Sequence, residues 1–109
     1  MIYLASPYNH KDKKIRDERA EKVKKKAAEL MMDGHVVFSP IAHGCAIKPY
    51  LSKDLEVNHR FWLEQDAAYL FKMKALYVLR LEGWDKSKGV AWEIETANVL
   101  GVPVVMVDE

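Results

Sequence analysis

A single cysteine, Cys45, in 109 residues excludes an intrachain disulfide and fits a reducing, intracellular setting. An excess of one charge is also missing: 17 Lys and Arg face 16 Asp and Glu, leaving a net +1. A dedicated nucleic-acid binder carries a basic surplus on one face, so that class is disfavoured. No apolar run approaches the roughly 20 residues that a bilayer crossing needs. A leader is not evident either, because Ile2-Tyr3-Leu4 reads directly as a strand. Internal repeats, low-complexity tracts and hairpin signals are absent. What is there is half apolar, with a length that suits one modest core. The expectation is a cytoplasmic protein, 1–109 as one domain, with neither nucleic-acid polymer nor membrane as partner.

Apolar runs alternate with helical periodicity along the whole chain. Ile2–Ala5 reads as a buried strand followed by a turn at Ser6-Pro7-Tyr8-Asn9. The spacing predicts a long helix over Asp12–Met32, N-capped by Asp12 and stopped near Gly34. Its apolar stripe is Ile15, Arg19/Ala20, Val23, Ala27, Leu30 and Met31. The run Lys22, Lys24, Lys25, Lys26 lies among Asp17, Glu18, Glu21 and Glu29, so it reads as a solvated face. His35–Ser39 is a second strand, and Ile41–Lys53, aperiodic with Gly44 and Pro49, reads as a lid-like loop. A helix is predicted over Asp54–Lys72, a strand over Ala75–Leu81, a helix over Val90–Leu100 and a strand over Val102–Val107. Such alternation implies an α/β fold. The expected form is a small open parallel sheet of four or five strands flanked by helices, a three-layer sandwich of Rossmann or flavodoxin kind.

The segment Gly83–Ala97, GWDKSKGVAWEIETA, is where chemistry is expected. It joins a strand to a helix, at the edge where open α/β sheets bind ligands. Glu93 lies about one turn into that helix, and Ser87 stands before it, where the helix dipole favours an anion. A carboxylate beside an anion site suggests a phosphorylated small molecule. Gly83 and Gly89 allow close approach to a ligand, and Trp84 and Trp92 offer flat surfaces, or ordinary core packing. His59, Trp62 and Asp66 recur at helical spacing on one face, so Asp66 is either functional or paired with Arg16 or Arg19. Tyr3 points into the core or up towards the crevice. His43-Gly44-Cys45 lacks a second pair at zinc-like spacing, so no metal is expected. His43 is kept as a ligand contact, and Cys45 has no evident activating neighbour.

Together these pieces resemble the nucleoside 2-deoxyribosyltransferase superfamily, which includes the 2′-deoxynucleoside 5′-monophosphate N-glycosidases. The resemblance runs through IYLASPY, LEQDAAYL and SKGVAWEIETANVLGVPVVMV, the last being the specific part. It implies Glu93 as nucleophile on the anomeric carbon, Asp66 handling the departing base, and Tyr3 orienting Glu93. Ser6, Pro7, Tyr8, His43, Trp84, Ser87 and Gly89 would bind a nucleoside or nucleotide, with no cofactor. Relatives acting on free nucleosides carry an acidic residue at the position of Ser87, so serine implies a 5′-phosphate. The phosphate-holding glycine run is absent, leaving Asn9, His10 and Lys11 as substitutes. The resemblance also implies a homodimer or higher homo-oligomer, in which relatives donate residues from a tail beyond the last strand. With Glu109 last here, Ile41–Lys53 is expected to supply that wall. A nucleotide-binding or nucleotide-sequestering module without turnover is the alternative.

Overall fold

The computed structural model describes residues 1–109. Four strands, β1 (Ile2–Ala5), β2 (Val37–Phe38), β3 (Ala75–Leu79) and β4 (Val104–Val107), form one sheet in the order β2-β1-β3-β4. Every pairing is parallel: Ile2 lies opposite Val37 and Ala75, and Leu76 opposite Val104. The order is the first part of the flavodoxin-like arrangement, whose switch point lies between β1 and β3.

Alternation along the strands divides the core in two. Tyr3, Ala5, Leu76 and Val78 face Leu70 and Met73, and Val90 and Ala97 of α5 (Lys88–Leu100). Leu4 and Leu79 face Val23, Ala27 and Leu30 of α1 (Lys13–Met32) on the other side. Side chains one residue apart on a strand point to opposite faces, so a period of two yields a sheet covered on both sides.

Asp12 caps α1 by accepting from the Lys14 N–H at 2.9 Å. The stripe of α1 buries Ala20, Val23, Ala27 and Leu30 as expected, but Met31 is half exposed and belongs to the solvent side. The lysine run is a solvated face, with the pairs Lys24–Glu21 at 3.2 Å and Lys26–Glu29 at 3.4 Å.

Two expectations are overturned between Ser39 and Phe71. The lid-like loop is largely helical: α2 spans Pro40–Ile47, a single 3₁₀ turn Lys48–Tyr50, and a short α3 Lys53–Glu56. Ser39 caps α2 by accepting from the Ala42 N–H at 3.1 Å, and Pro40 occupies the first turn. Ser-Pro here opens a helix. The single helix Asp54–Lys72 is two, because Asn58 stops α3 and caps α4 (His59–Phe71) through the Phe61 N–H at 3.0 Å. Strands are shorter than the apolar runs that announced them, since β2 pairs only at Val37–Phe38 and β3 ends at Leu79.

Candidate active site

A cavity of about 610 Å³ opens at the carboxyl ends of β1 and β3, a size that takes a small organic ligand. Ser6, Tyr8 and Asn9, which follow β1, form one side. Lys86, Ser87, Gly89, Trp92 and Glu93, from the β3–α5 connection and α5, form another. Trp62 and Asp66 of α4 close a third, and Ile41, Gly44, Cys45 and Lys48 supply the remaining wall. The segment expected to replace a tail-derived wall therefore lines the cavity, as a helix and turn.

Glu93 shares the inward stripe of α5 with Val90 and Ala97, and is only 8% exposed. An acid in that setting resists ionisation. Burial, reinforced by the charge of Asp66, pushes its carboxyl up to about 8, against the opposing pull of the nearby Tyr3 hydroxyl. Tyr3 lies beneath it in β1, fully buried, and its own ionisation is driven upward by burial and by the two carboxylates. The Tyr3 hydroxyl has no hydrogen bond of regular geometry, and the group it acts upon is Glu93. Asp66 is half-buried and raised to about 6 by burial, with Lys48 pulling it back down. Neither Arg16 nor Arg19 pairs with it, since both guanidiniums donate to backbone carbonyls.

Arg19, expected on the apolar stripe of α1 or paired with Asp66, instead ties the cavity's two main loops together. Its guanidinium donates to the Asn9 carbonyl at 3.0 Å and to the Glu82 carbonyl at 3.1 Å. Gly83, at φ 86°, passes so close that a Cβ there would sit 2.9 Å from an Arg19 nitrogen.

Ser87 is the N-cap of α5, its Oγ accepting from the Val90 N–H at 3.2 Å. That leaves the hydroxyl proton free to donate, beside first-turn N–H groups unused by the helix. Exposed Lys86 and Lys88 flank it on the cavity rim. Ser6 is 5% exposed, and its Oγ is buried without a partner beside the cavity.

His10 and Lys11, expected beside Asn9 as phosphate contacts, are not part of this cavity's lining, and neither are three of the residues expected to bind substrate. Pro7 is fully buried in the turn after β1. His43 packs tilted against Phe38 and edge-on to Tyr69, with centroids 5.4 and 5.7 Å away, in an aromatic group that includes Tyr3. Trp84 packs against the core beneath α5. No group of three His, Cys, Asp or Glu side chains is arranged to hold a metal ion, and no helix is long and apolar enough to cross a membrane.

A profile of the family described as a domain of unknown function, DUF1937, matches residues 1–109. The chain belongs to the DUF1937 family. Among solved structures it is similar to a 2-deoxyribosyltransferase from the psychrotolerant bacterium Bacillus psychrosaccharolyticus, with 24% identity and a TM-score of 0.65. The match covers 98% of this chain and 71% of that one. No significant match appears among curated proteins. The resemblance seen in the sequence thus holds at the level of fold: this DUF1937 chain has the α/β architecture of a 2-deoxyribosyltransferase.

The buried acid makes stability depend on pH. The folded form of Glu93 holds its proton up to about 8, whereas an unfolded chain releases it near 4.5. The folded state therefore binds the extra proton, and its advantage is full below 4.5 and lost as pH rises through about 8. Asp66 adds the same sign between 3.8 and about 6. The melting temperature should fall from pH 5 to pH 8, and Glu93→Gln should flatten that fall by at least roughly 4 °C, the shift that about 1 kcal/mol produces in a domain this size. Scanning calorimetry of both proteins at the two pH values checks this; parallel curves would contradict the buried-acid assignment.

Proposed function

We propose that the protein is an N-glycosidase or deoxyribosyltransferase-like enzyme that cleaves the base–sugar bond of a nucleoside 5′-monophosphate through a covalent Glu93 intermediate. The observation that carries this reading is the pair of acids at one cavity: Glu93 backed by Tyr3, and Asp66 across from it, each with a raised pKa. Acids tuned in this way suit nucleophilic and proton-transfer roles. The similarity in fold to a 2-deoxyribosyltransferase supports the same reaction class.

In the proposed reaction a Glu93 carboxylate oxygen bonds to C1′ as the C1′–N bond breaks. The bond's electron pair leaves with the base, which takes a proton from the Asp66 carboxyl. The Asp66 carboxylate then removes a proton from water, or from an acceptor base. The resulting nucleophile attacks C1′ and releases Glu93, which restores both groups. This is the two-step logic of a retaining glycosidase. Tyr3 holds Glu93 in place, Ser6 supplies a buried hydroxyl to the substrate, and Tyr8, Trp62 and Trp92 offer faces for the base. Ser87, Gly89, Lys86 and Lys88 meet the 5′-phosphate at the start of α5.

A silent nucleotide-binding module is the second reading. It is favoured by one feature, the carboxyl of Glu93 being largely protonated at neutral pH and so a poor nucleophile in that form.

Free-base release, measured by liquid chromatography from nucleosides and their 5′-monophosphates, tests the proposal. Release is expected from the monophosphates, and Ser87→Asp should weaken kcat/KM for monophosphates at least about tenfold more than for nucleosides, because a carboxylate repels phosphate. An equal effect on both would remove phosphate from the proposal. Binding without release from a folded sample would favour the silent module.

A further inference from the structure

Of the cavity's three lysines, Lys86 and Lys88 flank Ser87, but Lys48 stands apart on the turn after α2. Its ammonium lies 4.7 Å from the ring centroid of Tyr8 and 5.7 Å from that of Trp62. The indole is held firmly. Its Nε1–H donates to the Glu56 carbonyl at 3.0 Å, and its ring packs over Gly44 with room for no more than ordinary contact at a Cβ, 3.5 Å. Lys48 also reaches Asp66 electrostatically, opposing the effect of burial on that carboxyl. It takes part in none of the six ion pairs. One part of the cavity therefore gathers two flat aromatic faces, an unpaired ammonium and a carboxyl.

A planar heterocycle stacks on such faces, and its edge then meets Lys48 and Asp66. Lysine is a donor only, and the Asp66 carboxyl is a donor as well in the form that carries the proton it gives to the base. Two donors side by side are matched by two acceptors side by side. The N7 and O6 atoms of a 6-oxopurine form that edge, whereas adenine presents N7 beside an N6 amino donor, which opposes an ammonium. Lys48 has a flexible stem, so its head can move from the ring faces to the edge of a bound base.

Building on the reading given under Proposed function, we infer that Lys48 selects the base: the cavity takes nucleotides of 6-oxopurines, with Lys48 on O6 and Asp66 on N7. In base departure the Asp66 proton passes to N7 while the C1′–N9 electron pair stays with the purine. Lys48 gives up no proton and stabilises the negative charge that gathers on O6. Lys48 is thus a specificity-determining residue within a helix-and-turn segment whose sequence showed no period.

The test compares 2′-deoxyguanosine and 2′-deoxyadenosine 5′-monophosphates, with free 2′-deoxyguanosine as a third substrate, in wild type, Lys48→Met and Lys48→Arg. The wild type should prefer guanine. Lys48→Met should lower the guanine-to-adenine ratio of kcat/KM roughly 10- to 100-fold, the worth of a well-placed base contact. Lys48→Arg, which keeps the donor, should retain most of the preference. Equal losses on guanine and adenine would overturn the inference, as would a loss seen with the monophosphate and not with free 2′-deoxyguanosine, which would make Lys48 a phosphate cation. Calorimetric binding of the two nucleotides in a Glu93→Gln background separates this claim from the catalytic one. Wild type that releases no base defeats the catalytic reading alone. A guanine preference in binding that disappears with Lys48→Met still upholds the role of Lys48, and its absence in binding refutes it.

Discussion

Glu93→Gln is expected to lower base release by on the order of 10³-fold or more, with the fold preserved and KM little changed. Removing a nucleophile leaves only positioning and binding to accelerate the reaction, and losses of that order or larger are typical. Glutamine matches the shape of the glutamic acid and cannot form the ester to C1′. Its amide can also take the place of the carboxyl beside the Tyr3 hydroxyl, which is able to donate or accept. Full unfolding is not expected, because at neutral pH the wild-type side chain is already largely uncharged. Single-turnover release of free base in both proteins, with circular dichroism as a folding control, measures the effect. Retention of more than about a tenth of wild-type activity would remove Glu93 from the nucleophile's role.

The second large effect concerns Asp66 and pH. If Glu93 must be ionised and Asp66 protonated, kcat/KM follows a bell, rising through about 6 and falling through about 8. The two carboxyls interact, so these limits belong to the pair. The productive form, with the proton on Asp66, is the less populated of the two singly protonated states. Asp66→Asn should cost about 10²- to 10⁴-fold in kcat, the usual worth of a positioned acid. It should also abolish the falling limb, leaving activity that rises with the ionisation of Glu93 and then stays level. Running the profile on a free nucleoside as well removes the phosphate group's own titration near 6. A falling limb that persists unchanged in Asp66→Asn would take the proton-donor role away from this residue.

The sheet was readable because buried parallel strands announce themselves as apolar runs. Ile2–Ala5, Ala75–Leu79 and Val104–Val107 all fall within predicted strands. Glu93 and Asp66 were readable because helical spacing places them with residues of known character: Glu93 between buried Val90 and Ala97, Asp66 one turn from Trp62. The segment after Ser39 was not, because its helices are short and specified by caps: Ser39, Ser52 and Asn58 each accept from a nearby backbone N–H. Such caps act over three residues and leave no hydrophobic period. Lys48 and Cys45 reach the cavity only because α2 folds there. Contacts between distant elements were equally hidden, as with Arg19 and Glu82, 63 residues apart. The same holds for His43, whose place beside the stacked Phe38–Tyr69 pair depends on three different elements. Trp84, partly buried, packs against the core, and Pro7 is fully buried in the turn after β1.

The most direct measurement is a search for the covalent intermediate. The protein would be mixed with a 2′-deoxynucleoside 5′-monophosphate, quenched in acid within the turnover time, digested and mapped by mass spectrometry. The account predicts a 2-deoxyribose 5-phosphate adduct on the peptide carrying Glu93, absent from Glu93→Gln. Rapid base release with no adduct at any quench time, or an adduct on another residue, would contradict it.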